Sequence, residues 1–222
     1  MHRKTTIKMK ACLFAALRML LVLFLLNTSL LQAQNFTPAN KQNIQKVLEK
    51  LGNQANTLQS EFSQEKHMSF LTEPLISEGS FVFAKPDKLR WAYSQPYVYT
   101  IVFNGNNIAI NDGNQTTSFN ISENPIFAEV NKMMLGLIQG KLTNDQESFS
   151  VAYLKNSESY KLIFTPQKKE MKEMLSAIEM IIDKEQGTAE RIRMIEQNED
   201  YTDIIFKQYK INEELPEGTF SL

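Results

Sequence analysis

The sequence predicts an α+β protein that is mainly β, built on one large curved antiparallel sheet. Between residues 75 and 209, short segments rich in aromatic and β-branched residues alternate with turn formers such as "KPDK", "SQP", "NGN" and "NDGN". Strands joined by such short turns pair antiparallel, because parallel pairing needs long crossovers. Only two segments have a convincing helical period, and those helices are available to cover the concave face of the sheet.

The predicted strands span residues 75–84, 89–93, 97–103, 107–111, 115–121, 149–154, 160–166, 177–183, 188–197 and 201–209. The first helix is predicted to begin with Thr37 as its cap and Pro38 in its first turn, and its apolar residues recur through Leu51. The second helix is predicted in "NPIFAEVNKMMLGLIQG", where Asn124 is the cap and Gly140 ends the helix. The charged segment "QKKEMKEMLS" is either a helical turn or a loop.

Residues 1–33 are predicted to be a secretory signal peptide. Four basic residues precede an apolar run over residues 11–26 that is interrupted only by Arg18, and cleavage is expected after Ala33. A transmembrane anchor is the alternative for this segment, although the run is short for a membrane span. We expect residues 34–222 to form a single domain, because no linker, repeat or low-complexity tract divides them.

Composition restricts the function classes of the exported chain. Cys12 lies in the leader, so we expect neither disulfides nor a lipid attached to cysteine. The leader holds five of the 24 Lys and Arg residues and none of the 25 Asp and Glu residues, which leaves 19 basic residues and a net charge of −6. Such an acidic chain argues against a partner that is nucleic acid or an anionic membrane surface.

The inventory of reactive residues favours a binding protein over an enzyme. His67 is the single histidine after the leader, and the sequence has no Gly-rich phosphate loop and no His-Glu metal spacing. Glu199, Asp200 and Asp203 cluster near a turn, but acidic residues are common in turns and do not by themselves form an acid–base pair. We expect no metal, nucleotide or other cofactor.

The stretch "FAKPDKLRWAYSQP" combines a polar and an apolar strand face. A period of two places Leu89, Trp91 and Tyr93 on one side of the strand. Residues of the neighbouring predicted strands alternate towards the same side, namely Phe81, Phe83, Tyr97, Tyr99, Ile101 and Phe103. This shared face is either the packed core of the protein or the lining of a ligand pocket.

These residues also carry a resemblance to a known family. Gly79, "KPDKLRW" with the following Tyr and Pro, and "IVFNGNNIAIND" look like the signature of the periplasmic outer-membrane lipoprotein carriers, the LolA-like family. The segments "LQSEFSQ" and "LPEGTF" are similar to the opening and the ending of that family. The resemblance implies an incompletely closed antiparallel β-barrel, or half-barrel, whose cavity accepts lipoprotein acyl chains under a helical lid.

The resemblance also implies site residues. The acyl cavity would be lined by Phe81, Phe83, Leu89, Trp91, Tyr93, Ile101 and Phe103, and the lid would include Lys85, Ile126, Phe127, Val130, Met133 and Met134. Lys85 occupies the position before Pro86 at which well-studied carriers have an arginine that hydrogen-bonds the lid shut. Lysine keeps the charge but lacks the fork of donors, so we expect a looser or differently arranged lock.

Two function classes follow from these patterns. The resemblance implies a soluble, non-lipidated, monomeric periplasmic carrier that receives acylated lipoproteins from an inner-membrane release complex and delivers them to an outer-membrane acceptor. The alternative is a sensor or regulatory domain of the same architecture that detects misplaced lipid or lipoprotein. A hydrolase that depends on His67 is a third hypothesis.

Overall fold

The computed structural model describes residues 35–141 and 147–222, apart from the side chains of residues 125–127. The strands are β1 (Thr37–Pro38), β2 (Thr57–His67), β3 (Leu75–Ala84), β4 (Lys88–Gln95), β5 (Tyr99–Asn104), β6 (Asn107–Asn111), β7 (Thr116–Asn120), β8 (Phe149–Lys155), β9 (Ser159–Pro166), β10 (Leu175–Asp183), β11 (Ala189–Glu196) and β12 (Tyr201–Ile211). The helices are α1 (Lys41–Gln54), α2 (Pro125–Ile138) and the single turn α3 (Lys169–Lys172), with a 3₁₀ turn at Ile121–Glu123.

All twelve strands belong to one antiparallel sheet with the order β1-β8-β9-β10-β11-β12-β2-β3-β4-β5-β6-β7. Its two halves, β8–β12 and β2–β7, meet where β12 pairs with β2. Within the described residues no pairing joins β1 to β7, so the sheet does not close on itself. The predicted mainly antiparallel, incompletely closed architecture is confirmed.

The sheet curves around one hydrophobic core. Phe83 in β3 and Leu162 in β9 come from opposite halves of the sheet, and both belong to the same buried cluster. Helix α1 adds Ile44 and Leu48 to this cluster, and α2 adds Leu137. The inner face of the sheet and the two long helices therefore bury their apolar side chains against one another.

Strand β2 is absent from the sequence-based prediction, although it joins the two halves of the sheet. Leu58, Ser60 and Phe62 alternate inwards in its first half, while its second half, "SQEKH", is polar and half-buried. A polar residue at one of the three inward positions and a polar run after them weaken the period-two signal.

The predicted start of α1 is wrong. Thr37 and Pro38 pair with Lys155 and Leu154 as the edge strand β1, and the helix begins only at Lys41. Asn40 is the cap, because its side-chain oxygen accepts a hydrogen bond from the backbone N–H of Gln42 at 2.8 Å. Proline fits an edge strand as well as a first helical turn, since neither position needs its missing N–H.

The strand predicted over residues 97–103 begins two residues later in the structure, at Tyr99. Tyr97 precedes β5 and is 81% exposed, so it does not share the inner face with Tyr99. Pro96 has no N–H to donate to a ladder, and the chain turns there before pairing resumes. The remaining predicted strands lie within two residues of the observed ones at both ends, and "QKKEMKEMLS" contains the helical turn α3.

Gly79 allows two strands and an aromatic ring to approach closely. A Cβ atom at this position would lie 2.2 Å from the carbonyl oxygen of Ala92 and 2.5 Å from Cζ of Phe62. A glycine inside a strand marks such a close approach, and the register of β3 against β4 shifts here.

No helix in the described part of the chain has the length and apolarity needed to cross a membrane.

Candidate functional site

The inner face of the sheet carries all seven side chains that the sequence suggested for a cavity. In the register of β3 and β4, Phe81 lies opposite Trp91 and Phe83 lies opposite Leu89. In the register of β4 and β5, Trp91 lies opposite Ile101, Leu89 lies opposite Phe103, and Tyr93 lies opposite Tyr99. Three of them are buried in the core cluster, namely Phe81, Phe83 and Leu89, and the other four are half-buried.

Trp91 is at the centre of an aromatic cluster. Its ring centroid lies 4.8 Å from that of Phe62, 5.4 Å from that of Phe81 and 5.8 Å from that of Phe206. Phe62 and Phe206 are contributed by β2 and β12, and the sequence analysis did not include them. They face Trp91 because the order β12-β2-β3-β4 brings four strands side by side.

A small apolar cavity of about 40 Å³ lies between the sheet and the helices. Its wall is formed by Leu48 and Leu51 of α1, by Met134, Leu137 and Ile138 of α2, and by Leu58, Phe81, Met180, Ile182, Gly187, Thr188, Ala189, Ile192, Phe206 and Tyr209. Of the seven predicted cavity residues, only Phe81 borders it. Helix α2 therefore forms one wall of an apolar space whose opposite wall is the sheet.

Helix α2 covers this space with flexible side chains. Met133 is buried in the core cluster, Met134 and Leu137 border the cavity, and Val130 is half-buried. The side chains of the predicted lid residues Ile126 and Phe127 lie outside the described part of the structure. Methionine is unbranched and adapts its shape to a neighbour, so this wall is deformable.

The two long helices touch backbone to backbone. A Cβ atom on Gly52 of α1 would lie 2.3 Å from the carbonyl carbon of Gln139, directly after α2. A Cβ atom on Gly140 would lie 2.5 Å from Cα of Glu49, and the φ of +74° at this residue also favours glycine. Gln45 donates a hydrogen bond from Nε2 to the carbonyl oxygen of Gly140 at 2.7 Å. The end of α2 is thereby held against α1.

The same end of α2 is bonded to the turn between β3 and β4. Gln139 donates a hydrogen bond from Nε2 to the carbonyl oxygen of Pro86 at 2.5 Å. The neighbouring Lys85 is exposed, and its side chain makes no hydrogen bond or ion pair with the described residues. The expected action of Lys85 on the lid stays a prediction; in this structure the hydrogen bond at this turn runs from Gln139 to the Pro86 carbonyl.

A charged contact joins the first half of α2 to the other half of the sheet. Glu129 forms an ion pair with Lys168, which lies between β9 and α3. Burial opposes ionisation of Glu129, but hydrogen bonds from Lys168 and Ser148 outweigh it and lower the pKa of this carboxyl. Glu129 is therefore charged at neutral pH, and α2 is tied to the sheet through both of its halves.

The hydroxyl groups of Tyr93 and Tyr209 are neutral at neutral pH. Burial raises the pKa of Tyr93, and a hydrogen bond from the Trp91 indole offsets part of that rise. The Tyr93 hydroxyl donates a hydrogen bond to Oε1 of Gln64 at 2.9 Å. Burial also raises the pKa of Tyr209, whose hydroxyl donates to the carbonyl oxygen of Ala189 at 2.6 Å. The arrangement suits an uncharged, largely apolar guest.

The family model of the outer membrane lipoprotein carrier protein LolA matches residues 53–222. The chain belongs to the LolA family. Members of this family are extracytoplasmic carrier and binding proteins. Among curated protein sequences, no significant match to the chain was found.

Several solved structures are similar to the chain at low sequence identity. A conserved protein of Thermus thermophilus is 13% identical over 82% of this chain and 92% of its own, with a TM-score of 0.51. A LolA superfamily protein of Nitrosomonas europaea is 10% identical over 81% of this chain and 97% of its own, with a TM-score of 0.45. The MucA/MucB complex of Pseudomonas aeruginosa matches at 14% identity over 81% of this chain and 61% of its own, with a TM-score of 0.48.

Among the acidic residues near the last turn of this LolA-family chain, Asp203 belongs to an ion-pair network on the outer face. Asp203 accepts hydrogen bonds from both Arg191 and Arg193, at 2.6–2.9 Å. Burial opposes ionisation of Asp203, but the two guanidinium groups outweigh it and lower its pKa to about 2. Asp200 accepts a hydrogen bond from the backbone N–H of Ser69 at 2.7 Å. Both carboxylates are thus occupied by structural partners.

His67, the residue on which the hydrolase hypothesis depends, lies on the same outer face. Its ring stacks on Tyr201 with a centroid distance of 4.4 Å, and its Nε2 lies 3.2 Å from Oε2 of Glu65. The cavity of the LolA-family fold is on the opposite side of the sheet, since its residues alternate with these along β2 and β12.

Proposed function

We propose that this protein is a periplasmic carrier that binds the acyl chains of lipoproteins between the inner face of its sheet and α2. It receives them from an inner-membrane release complex and delivers them to an outer-membrane acceptor. Residues 1–33 are the export signal, and residues 34–222 carry the function. The observation that carries this proposal is the apolar space whose walls are the sheet on one side and α2 on the other.

The chemistry of the cargo explains why such a space is needed. Each methylene that leaves water contributes about 0.8 kcal/mol, so three acyl chains of about fifteen methylenes represent roughly 36 kcal/mol of exposure in water. A lipoprotein with free acyl chains does not cross an aqueous compartment by itself. A protein that shields the chains and then releases them to a stronger binder solves this problem without breaking a bond.

Uptake of cargo requires α2 to move. The cavity of about 40 Å³ has room for a few water molecules at most and is far too small for an acyl chain. The contacts to be released are the Glu129–Lys168 ion pair and the Gln139–Pro86 hydrogen bond. The side chains Met133 and Met134 can then repack around the guest. Under this proposal the present structure is the closed form.

A reversible lock on α2 tests the proposal. The exported chain has no cysteine, so a Glu129→Cys/Lys168→Cys variant can be joined by a reducible bifunctional thiol reagent. We expect the cross-linked protein to lose uptake of a fluorescent dipalmitoyl lipopeptide from vesicles, and reduction to restore it. The measurement is the fluorescence recovered with the protein after the vesicles are sedimented.

A second ion pair supplies the matched control. Lys161 and Glu179 are joined at 2.8 Å on the outer face of β9 and β10, away from α2. A Lys161→Cys/Glu179→Cys variant cross-linked with the same reagent should take up cargo as the wild type does. Equal uptake by the Glu129/Lys168 protein before and after cross-linking would contradict the movement of α2. Failure of the wild type to extract any lipopeptide would contradict the carrier function itself.

A further inference from the structure

Exposed apolar side chains are concentrated at one end of the sheet. Ten large apolar residues are exposed among the described residues, and six of these lie between residues 70 and 98. Tyr97 and Phe70 are the most exposed, at 81% and 75%. We call the six the apolar rim, which consists of Phe70, Leu71, Leu75, Ile76, Tyr97 and Val98. A single exposed apolar residue needs no explanation, whereas a patch of them marks a surface that binds something apolar.

The fold places these residues in neighbouring loops. Strands β2 to β5 are neighbours in sequence order and run antiparallel, so the β2–β3 loop (residues 68–74) and the β4–β5 loop (residues 96–98) leave the same end of the sheet. The first two residues of β3 lie between these loops. The β6–β7 turn is next to them, since a Cβ atom on Gly113 would lie 3.4 Å from the carbonyl oxygen of Val98. The apolar rim is therefore one patch at one end of the sheet.

The packing of the protein gives the apolar rim no internal partner. Within the described structure, none of its six residues belongs to the hydrophobic core cluster or borders the apolar cavity. They come from separate loops, and more than a third of the surface of each residue is exposed. A fluid bilayer surface adapts to such separate side chains, whereas a folded protein partner would have to provide a matching hollow for each of them.

The charge around the apolar rim selects the kind of lipid. Residues 68–78, 94–98 and 112–115 contain no lysine or arginine, and they contain three carboxylates, namely Glu73, Glu78 and Asp112. None of the three carboxylates forms an ion pair in the described structure. Clusters of basic residues attract proteins to anionic lipids, and carboxylates oppose that approach. The apolar rim is therefore suited to lipids with zwitterionic head groups.

We infer that the apolar rim inserts into the surface of a bilayer made of zwitterionic phospholipids. Aromatic and aliphatic side chains enter the boundary between head groups and acyl chains, and the strength of binding grows with the apolar area that they bury. The inference goes beyond the proposed function, because holding cargo needs no contact between the protein itself and a membrane. It gives the protein a membrane-facing end, at which the β2–β3 and β4–β5 loops point towards the bilayer.

Sedimentation with sucrose-loaded vesicles measures this contact. The vesicles consist of phosphatidylcholine and phosphatidylethanolamine and hold no lipopeptide, so the result does not depend on cargo binding. We expect the exported protein to pellet with them at low and at high salt, because the attraction is apolar and is not screened by ions. Replacing part of the lipid by anionic phosphatidylglycerol should weaken binding at low salt.

A pair of serine substitutions identifies the surface that binds. Phe70→Ser/Tyr97→Ser should lower the partition coefficient at least about ten-fold, since the burial of two large apolar side chains is lost. Both residues are exposed, so the variant should fold as the wild type does, which circular dichroism checks. Ile211→Ser/Leu222→Ser removes two exposed apolar side chains outside the apolar rim and should pellet as the wild type does.

A fluorescent label locates the contact without changing the apolar rim. The exported chain has no cysteine, so Thr72→Cys in the exposed β2–β3 loop accepts a single environment-sensitive fluorophore. Spin-labelled phosphatidylcholine in the vesicles should quench this fluorophore. The same label on Asn53→Cys should not be quenched, because α1 ends beside the start of β2 and the whole length of that strand leads from there to the apolar rim.

The outcomes separate this inference from the carrier function. Insertion of the apolar rim would be overturned if the wild type did not pellet with zwitterionic vesicles, if it pelleted only with anionic lipid, or if the Phe70→Ser/Tyr97→Ser variant pelleted equally well. Wild-type dimers in analytical ultracentrifugation that the same variant does not form, without any vesicle binding, would also overturn it and assign the apolar rim to a second copy of the chain. Uptake of lipopeptide is measured separately by the cross-linking experiment on α2.

Discussion

Gly52 and Gly140 bring the two long helices into backbone contact. A Cβ atom on either residue would lie within 2.6 Å of backbone atoms of the other helix or of the residue that follows it. This contact fixes the C-terminal end of α2, while the ion pair of Glu129 fixes its first half. The stability and mobility of α2 therefore depend on few residues, each of which can be changed separately.

We expect Gly52→Ala to separate the helices and destabilise the protein. A methyl group 2.3 Å from the Gln139 carbonyl carbon forces the backbones apart, and such overpacking costs about 1–3 kcal/mol. The better helix propensity of alanine recovers up to about 1 kcal/mol. Urea denaturation gives the free energy of unfolding. Asn53→Ala, at the exposed next position of α1, is the control and should change it by less than about 0.5 kcal/mol.

The Gln139–Pro86 hydrogen bond predicts different results for substitutions at Gln139 and at Lys85. Gln139→Ala should remove the bond, destabilise the closed form by about 1 kcal/mol and raise the rate of hydrogen exchange in α2. Lys85→Ala should leave exchange in α2 unchanged, because the Lys85 side chain is exposed and unbonded within the described structure. Faster exchange in Lys85→Ala than in Gln139→Ala would show that lysine, not glutamine, holds the helix.

Acidification should loosen α2 through Glu129. Its carboxyl has a pKa below the ordinary value of 4.5 in the folded protein, so its stabilising contribution is complete above about pH 4.5 and is lost as the pH falls through the folded pKa. Exchange rates in α2, corrected for the intrinsic effect of pH, should rise over that acidic window. In Glu129→Gln, exchange should already be faster at neutral pH and should gain little on acidification. A wild-type profile that matches the variant at every pH would refute the role of this ion pair.

Asp203 should contribute more than Glu129 to the free energy of unfolding of the whole protein. Its pKa is lowered from 3.8 to about 2, because two arginines outweigh the effect of burial, so about 2 kcal/mol of stability is present above pH 4 and disappears between pH 4 and pH 2. Asp203→Asn should lose roughly that amount at neutral pH and show a flatter acid profile. Glu213→Gln breaks an exposed pair with Lys210 and should cost less than about 1 kcal/mol. Thermal unfolding followed by circular dichroism at several pH values measures both.

The sequence was informative wherever local pattern decides structure. The strands from residue 75 onwards were predictable because alternating side chains and short turns act over a few residues. Strand β2 was not, because a buried Ser60 and a polar second half hide its period. Thr37 and Pro38 suit a helix start and an edge strand equally well, and only the distant Lys155 and Leu154 decide between them.

In the candidate site, too, some features follow from local sequence pattern and others depend on residues far apart in the chain. The inward alternation of Leu89, Trp91 and Tyr93 follows from the strand period. The contact of Trp91 with Phe206 does not, since it depends on the pairing of the last strand with β2, more than a hundred residues away in the chain. The contact of Gln139 with the Pro86 carbonyl likewise arises only when α2 folds back over the sheet.

The pairing of β12 with β2 has a consequence for how the chain is made. Because synthesis runs from the N terminus, β2 appears early and waits for its second neighbour until residues 201–211 exist. During that interval one side of β2 presents unpaired N–H and C=O groups to any extended segment nearby. The middle of the sheet is thus the last part to be completed, and a nascent chain that stops before its final strand would be the form most prone to aggregate.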